Sequence, residues 1–317
     1  MTIEKKLIDI WRSLLAIEHI SIYDNFFDIG GDQLLFMALT NRIQTIFGLD
    51  SAIFIDNKFK SISEQANFIK RLQRHSHQSM LVNLRPGCNN HPMIFIHPVG
   101  GTLFGYMPLI NKLITENNIW GIQENFLFGD FNTYDSLEEQ ASFYIFKLKK
   151  ILNCKSIILA GHSMGGSIAF EMCRQLISDK YNVKHLIIFD SWAKMPFDVT
   201  FRNRFKEFIL RQFDKIKPDH FLDMQENLDT WLITMWKRME LLLRYKPVKI
   251  PVNATLFLPG EIITEYQTDT PYDNGWSEFV NQLQCYKVLG NHETMLTEQN
   301  VEPVSNHFNT YLSSYFL

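Results

Sequence analysis

Apolar positions follow two regimes along the chain. Up to about residue 75 they recur at helical spacing. Leu7, Ile10, Trp11, Leu14 and Leu15 share one face of a first helix. A loop from Ser21 to Gly31 follows, holding the pair Phe26-Phe27 and closing with Gly30-Gly31-Asp32. Leu34, Leu35, Ala38, Leu39, Ile43 and Ile46 mark a second helix that stops near Gly48. A third starts at Ser61, where Ser61-Ile62-Ser63-Glu64 supplies a capping box, and runs to about Leu72. Gln73 to Asn90 has linker composition, with Pro86-Gly87 and an Asn pair. The expected division is a helical domain at 1–75, a linker at 76–90 and a larger domain at 91–317.

From Pro92 onward, short apolar runs alternate with helical patterns. The runs are Met93 to Ile96, Ile119 to Ile122, Ile157 to Ala160, Leu186 to Phe189, Ala254 to Leu258 and Cys285 to Leu289. That rhythm predicts a mostly parallel sheet covered by helices, the α/β class. One insertion breaks it, at about 193–248. It carries one helical pattern over Phe201 to Phe213 and another through Leu228, Trp231, Leu232, Met235, Trp236, Met239, Leu242 and Leu243. An insertion this apolar must cover something. A lid over a site is the preferred reading; a dimer interface and additional core helices are the alternatives.

Leu159-Ala160-Gly161-His162-Ser163-Met164-Gly165-Gly166 joins an apolar run to a helical pattern. A sharp strand-to-helix turn of this kind lifts a serine hydroxyl out of a sheet. Gly161 and Gly165 suit it because backbones there pass too closely for a Cβ. A serine nucleophile needs a base, and the base needs an orienting carboxylate; on such folds the acid and then the histidine follow the serine. His185 starts a strand, His220 lies in the insertion and His307 in a C-terminal helical pattern. His292, in Gly290-Asn291-His292-Glu293-Thr294-Met295, follows the last strand on a glycine-bearing loop, where the serine should emerge. Asp190, at the end of Leu186 to Phe189, is favoured as the acid over Glu261, one strand later. The expected oxyanion donors are the N–H of Met164 and one from the loop Ile96-His97-Pro98-Val99-Gly100-Gly101. Pro98 has no N–H, so Val99 is the first candidate and Gly100 the second. His97 and His162 flank the site and are read as structural.

Composition narrows the classes. The chain has 317 residues, 46% hydrophobic, and a formal net charge of −3, which offers nothing basic enough for nucleic acid. Arg202, Arg204, Lys206 and Arg211, interleaved with Phe201, Phe205 and Phe208, read as the solvated face of an amphipathic helix. No run approaches the roughly 18 apolar residues of a membrane span, and no signal-peptide region follows Met1, so the cytoplasm is the expected location. Cys88, Cys154, Cys173 and Cys285 form no C-x-x-C pair and no metal-ligand spacing with histidine. Reduced thiols and no metal are expected.

Asp24-Asn25-Phe26-Phe27-Asp28-Ile29-Gly30-Gly31-Asp32, with a helix on either side, resembles the peptidyl carrier domain of nonribosomal peptide synthetases. The chain from about residue 91 resembles the thioesterase domain that ends such assembly lines. Trp120-Gly121-Ile122-Gln123, the serine turn, Asp190 and Gly290-Asn291-His292 carry that likeness. The resemblance implies a small helical bundle followed by an α/β-hydrolase fold with a helical lid. It also implies upstream synthetase modules, a carrier in cis, a phosphopantetheinyl transferase and a phosphopantetheine arm. The implied reaction moves a peptidyl thioester to Ser163 and releases it by hydrolysis or macrocyclisation. An editing thioesterase and a non-catalytic docking unit are the alternatives. One departure stands out. Carriers of this family place the arm-bearing serine directly after Gly-Gly-Asp, and this chain has Gln33 there. An amide cannot take the arm. A substitution that traps the unmodified form and a natural carrier that has lost its arm both fit.

Overall fold

The computed structural model describes residues 2–47, 60–74, 80–124, 134–196, 233, 235–263 and 271–316. The chain forms two compact units.

The first unit holds α1 (Ile3–Leu15), α2 (Gln33–Phe47) and α3 (Ile62–Arg74). Each start carries a polar cap that satisfies N–H groups the helix leaves unpaired. The Thr2 side chain accepts from the Lys5 N–H, and Asp32 Oδ1 accepts from the Leu35 N–H at 2.8 Å. The expected capping box is present: the Ser61 N–H donates to Glu64 Oε2 at 3.0 Å, and the Glu64 N–H to Ser61 Oγ at 3.3 Å. All five apolar residues assigned to α1 are buried. Trp11 meets Phe26 edge-on at 4.9 Å and donates its indole N–H to Gln65 Oε1 at 3.0 Å. Phe26 also packs edge-on against Phe36 at 5.6 Å. On α2, Ala38, Leu39 and Ile43 are buried as the pattern predicts, whereas Ile46 in the last turn is exposed and Phe36 joins the core. Gly48 lies outside the described residues.

The second unit is built on a seven-stranded sheet. Its strands are β1 (Leu81–Arg85), β2 (Cys88–Ile96), β3 (Asn117–Ile122), β4 (Ser156–His162), β5 (Asn182–Phe189), β6 (Asn253–Pro259) and β7 (Gln282–Val288), in the order β1-β3-β2-β4-β5-β6-β7. Only β1 is antiparallel to its neighbour. All six predicted apolar runs supply strands. The cores of β2, β4 and β5 are buried on both faces, as a helix-covered parallel sheet requires. The helices are α4 (Met107–Lys112), α5 (Leu137–Leu148), α6 (Met164–Ser178), α7 (residues 235–244) and α8 (Val301–Phe316).

The structure corrects two expectations. Residues 81–90, assigned to a linker, form β1 and the start of β2. β1 lies at the sheet edge and buries only Leu81 fully, so it carries no strand-like apolar run. Part of the insertion is core. Met235, Met239 and Leu242 of α7 are buried, and the Tyr245 hydroxyl donates to the buried Glu171 carboxylate of α6 at 2.9 Å. The pattern over Phe201 to Phe213 and the positions Leu228, Trp231 and Leu232 lie outside the described residues.

Candidate active site

The C-terminal ends of the parallel strands bring the candidate residues to one edge. Ser163 sits between β4 and α6 with φ 55° and ψ −127°, a strained conformation for a residue bearing a Cβ. Neighbouring groups hold it there. The Ser163 N–H donates to the Phe189 carbonyl at 2.9 Å. The Tyr106 hydroxyl donates to the Ile96 carbonyl and accepts from the His162 N–H, each at 2.6 Å, tying the ends of β2 and β4 together. A Cβ on Gly161 would collide with the Gly165 backbone, and one on Gly165 with the Ile96 carbonyl, so the expected close approach is real.

Asp190 follows β5 with φ 38° and is 5% exposed. Its Oδ2 accepts from His292 Nδ1 at 2.7 Å, and its Oδ1 accepts from Asn274 Nδ2 at 3.3 Å. His292 is itself buried, between two rings: His162, with centroids 4.7 Å apart, and Trp192 at 5.6 Å. The His292 loop is self-capped. Asn291 Oδ1 accepts from the N–H groups of Glu293 and Thr294 at 3.0 and 3.1 Å. The Glu261 side chain is exposed and takes no part in this bond.

Electrostatics separates the histidines. Burial alone would lower the His292 pKa, but the hydrogen bond to Asp190 and its negative charge outweigh burial, and the net shift is upward. His162 is pushed down to about 3, by burial first and then by His292, so it packs as a neutral ring. His97 is pushed down to about 4, chiefly by burial and then by the Arg238 charge. It pairs through Nδ1 with the Pro98 carbonyl and through Nε2 with the Tyr144 hydroxyl, both at 2.6 Å.

The loop after β2 turns tightly, the Gly101 N–H donating to the Pro98 carbonyl at 2.9 Å. Val99 and Gly100 occupy its two central positions, and a Cβ on Gly100 would meet nothing within 4 Å. Met164 opens α6, where unpaired N–H groups and the helix dipole favour a developing negative charge. Sequence reasoning missed Asn274, Trp192 and Arg238. Only the Asn291-x-x-Thr294 cap had a local signature, an Asx turn.

In the first unit, Gln33 is exposed at the first position of α2. Asp32 caps the helix as it would ahead of a serine. The Gln33 side chain ends in a carboxamide with no hydroxyl to form a phosphodiester, so the residue present does not fit a covalently attached arm.

Two family models match the chain, in separate segments. The thioesterase domain family matches residues 91–312, and a family described as a phosphopantetheine attachment site matches residues 5–69. A dimodular nonribosomal peptide synthase of Bacillus subtilis (strain 168) is 29% identical over 192 residues, covering 60% of this chain and 8% of that protein. Tyrocidine synthase 3 of Brevibacillus parabrevis is 29% identical over 194 residues, covering 60% and 3%. The chain spans less than a tenth of the length of these two relatives. Among solved structures, a four-domain nonribosomal peptide synthetase bound to AMP and glycine aligns over 99% of this chain and 26% of its own, with TM-score 0.64 and 22% identity. The NocB thioesterase domain from the nocardicin cluster aligns over 74% and 98%, with TM-score 0.58 and 19% identity. These structural likenesses establish the fold. No described helix is long and apolar enough to cross a membrane. A family match over most of the chain, on an α/β-hydrolase sheet, places this protein in the thioesterase domain family, behind a carrier-type domain.

Proposed function

We propose that the chain is the chain-releasing end of a nonribosomal peptide synthetase, with Ser163 as nucleophile, His292 as base and Asp190 as the carboxylate that orients it. The observation that carries this reading is the 2.7 Å bond between Asp190 and His292 at the sheet edge that presents the strained Ser163. His292 Nδ1–H is committed to Asp190, which leaves Nε2 as the basic nitrogen. Nε2 takes the Ser163 proton as Oγ attacks the carbonyl carbon of a peptidyl thioester. The oxyanion draws on the N–H groups of Met164 and of Val99 or Gly100. Collapse breaks the C–S bond, His292 returns the proton to the departing sulfur, and an acyl-serine ester forms. Water, or an amine or hydroxyl within the peptide, then gives its proton to His292 and releases an acid or a ring.

A peptidyl substrate is in keeping with the Vlm2 thioesterase domain, solved with a bound dodecadepsipeptide. A fluorophosphonate probe tests the nucleophile. Wild type should be labelled and Ser163→Ala should not; equal labelling, or none, would refute the assignment.

Gln33 shapes the supply of substrate. The carrier-type domain stays without an arm, so the acyl thioester reaches Ser163 from a separate thioester donor. Incubation with a phosphopantetheinyl transferase and coenzyme A should leave the intact mass unchanged, whereas Gln33→Ser should gain the arm. A mass gain in the wild type would overturn this part.

A further inference from the structure

We propose that Arg238, on the helix that closes the insertion, is a positioning residue for the oxyanion loop, through the Val99 carbonyl. This rests on the acyl-transfer reading above. Arg238 Nη1 donates to the Val99 carbonyl at 2.8 Å, and Nη2 to Glu124 Oε2 at 2.7 Å. Both side chains are almost fully buried, at 7% and 5% exposure. Glu124 lies just beyond β3, and its N–H donates to the Gly101 carbonyl at 2.9 Å. Three carbonyls of the turn are thus held: Pro98 by His97 and the Gly101 N–H, Val99 by Arg238, and Gly101 by Glu124.

Peptide planarity converts these contacts into donor geometry. Across a trans peptide the C=O and the next N–H point in opposite directions. Fixing the Pro98 carbonyl therefore aims the Val99 N–H, and fixing the Val99 carbonyl aims the Gly100 N–H. The second of these is set from another element, 139 residues along the chain. A guanidinium suits the task because its planar fork spans two acceptors at a defined angle.

Further polar contacts close a circuit around the loop. Gln140 Nε2 lies 3.5 Å from Glu124 Oε1 and donates to the Tyr144 hydroxyl at 2.8 Å. Neutral His97 gives its Nδ1–H to Pro98 and accepts the Tyr144 O–H at Nε2. A buried ion pair adds little net stability compared with apolar packing, so its value here is a fixed geometry. Buried hydrogen bonds therefore join the helix that carries Arg238 to the oxyanion loop.

The test compares the full chain with Arg238→Met, Arg238→Lys and the double variant Glu124→Gln/Arg238→Met. The measurements are kcat and KM on a short acyl-thioester mimic, the rate of fluorophosphonate labelling, and melting temperature. Arg238→Met leaves a buried carboxylate unpaired and melts lower; the double variant removes that charge and regains stability. Both should lose about 10- to 100-fold in kcat and in labelling rate, with KM within about twofold, because a donor misplaced by about 1 Å costs up to 100-fold. Arg238→Lys keeps the charge and the fold but cannot span both acceptors, and should lose about tenfold in kcat. Wild-type kcat in the double variant or in Arg238→Lys would overturn the proposal. So would a loss confined to KM, or one that recovers with melting temperature. A wild type that is neither labelled nor active would instead refute the acyl-transfer reading.

Discussion

Replacing Asp190 by asparagine removes a charge and leaves the shape. In the wild type Asp190 Oδ2 accepts from His292 Nδ1 at 2.7 Å, and both side chains are less than a tenth exposed. An asparagine NH2 facing Nδ1 forces the ring proton onto Nε2, the nitrogen that must accept the Ser163 proton. His292 becomes charged as it takes the Ser163 proton, and leaving a buried charge without its partner costs about 3–5 kcal/mol. At 1.36 kcal/mol per decade, expressed wholly in the barrier, that is between two and nearly four decades in rate. The tautomer argument supports the upper end, about 10⁴-fold in kcat. The pH profile gives an independent signature. His292 must be neutral to act, so kcat/KM rises as pH climbs through its raised pKa. In Asp190→Asn burial, which lowers the pKa, is opposed only by the Glu293 charge, so the acid limb moves to lower pH while the plateau falls. The assay is thiol release from a short acyl-thioester, followed by chromatography across pH. Glu261→Gln, altering an exposed side chain, should match the wild type. Near-normal turnover in Asp190→Asn, or a large loss in Glu261→Gln, would refute the reasoning and reassign the acid.

Three other outcomes follow from the packing. Gly165→Ala drives a methyl into the Ile96 carbonyl, and overpacking of about 1–3 kcal/mol should lower the melting temperature and abolish fluorophosphonate labelling. Buried neutral histidines make the second unit acid-sensitive: His97 and His185 are each held at about 4, chiefly by burial, against an unfolded value near 6.5. The unfolded chain then binds more protons below 6.5, so stability is lost as pH falls from 6.5 toward 4, and a melting-temperature series in which His185→Gln loses less would show it. In the carrier-type domain, Phe26→Ala removes the ring at the centre of the Trp11 and Phe36 contacts and should cost about 3–5 kcal/mol, measured by denaturant unfolding.

The serine turn, strands β2 to β7 and the capped helices were legible in the sequence because each is written in short-range pattern. Strands buried on both faces must be continuous apolar runs, a helix buried on one face must repeat every three to four residues, and a close backbone crossing must exclude side chains. β1 was not legible, since its five residues include Asn83 and Arg85, only Leu81 is buried, and its pairing is borrowed from β3. The choice between Asp190 and Glu261 had no local answer either, because both end strands of the same sheet. The loop bearing Asn274, the tilted His162 ring and the stacked Trp192 ring surround the bond that His292 makes to Asp190, across 102 residues of chain. Arg238 had no signal at all: an arginine on an amphipathic helix reads as solvated, until the packing of α7 takes its guanidinium out of water beside Glu124 and Val99. Periodicity records which face of an element is buried, since that depends on neighbours along the chain. Which two side chains meet depends on how separate elements stack, and that is set only when the core closes around them.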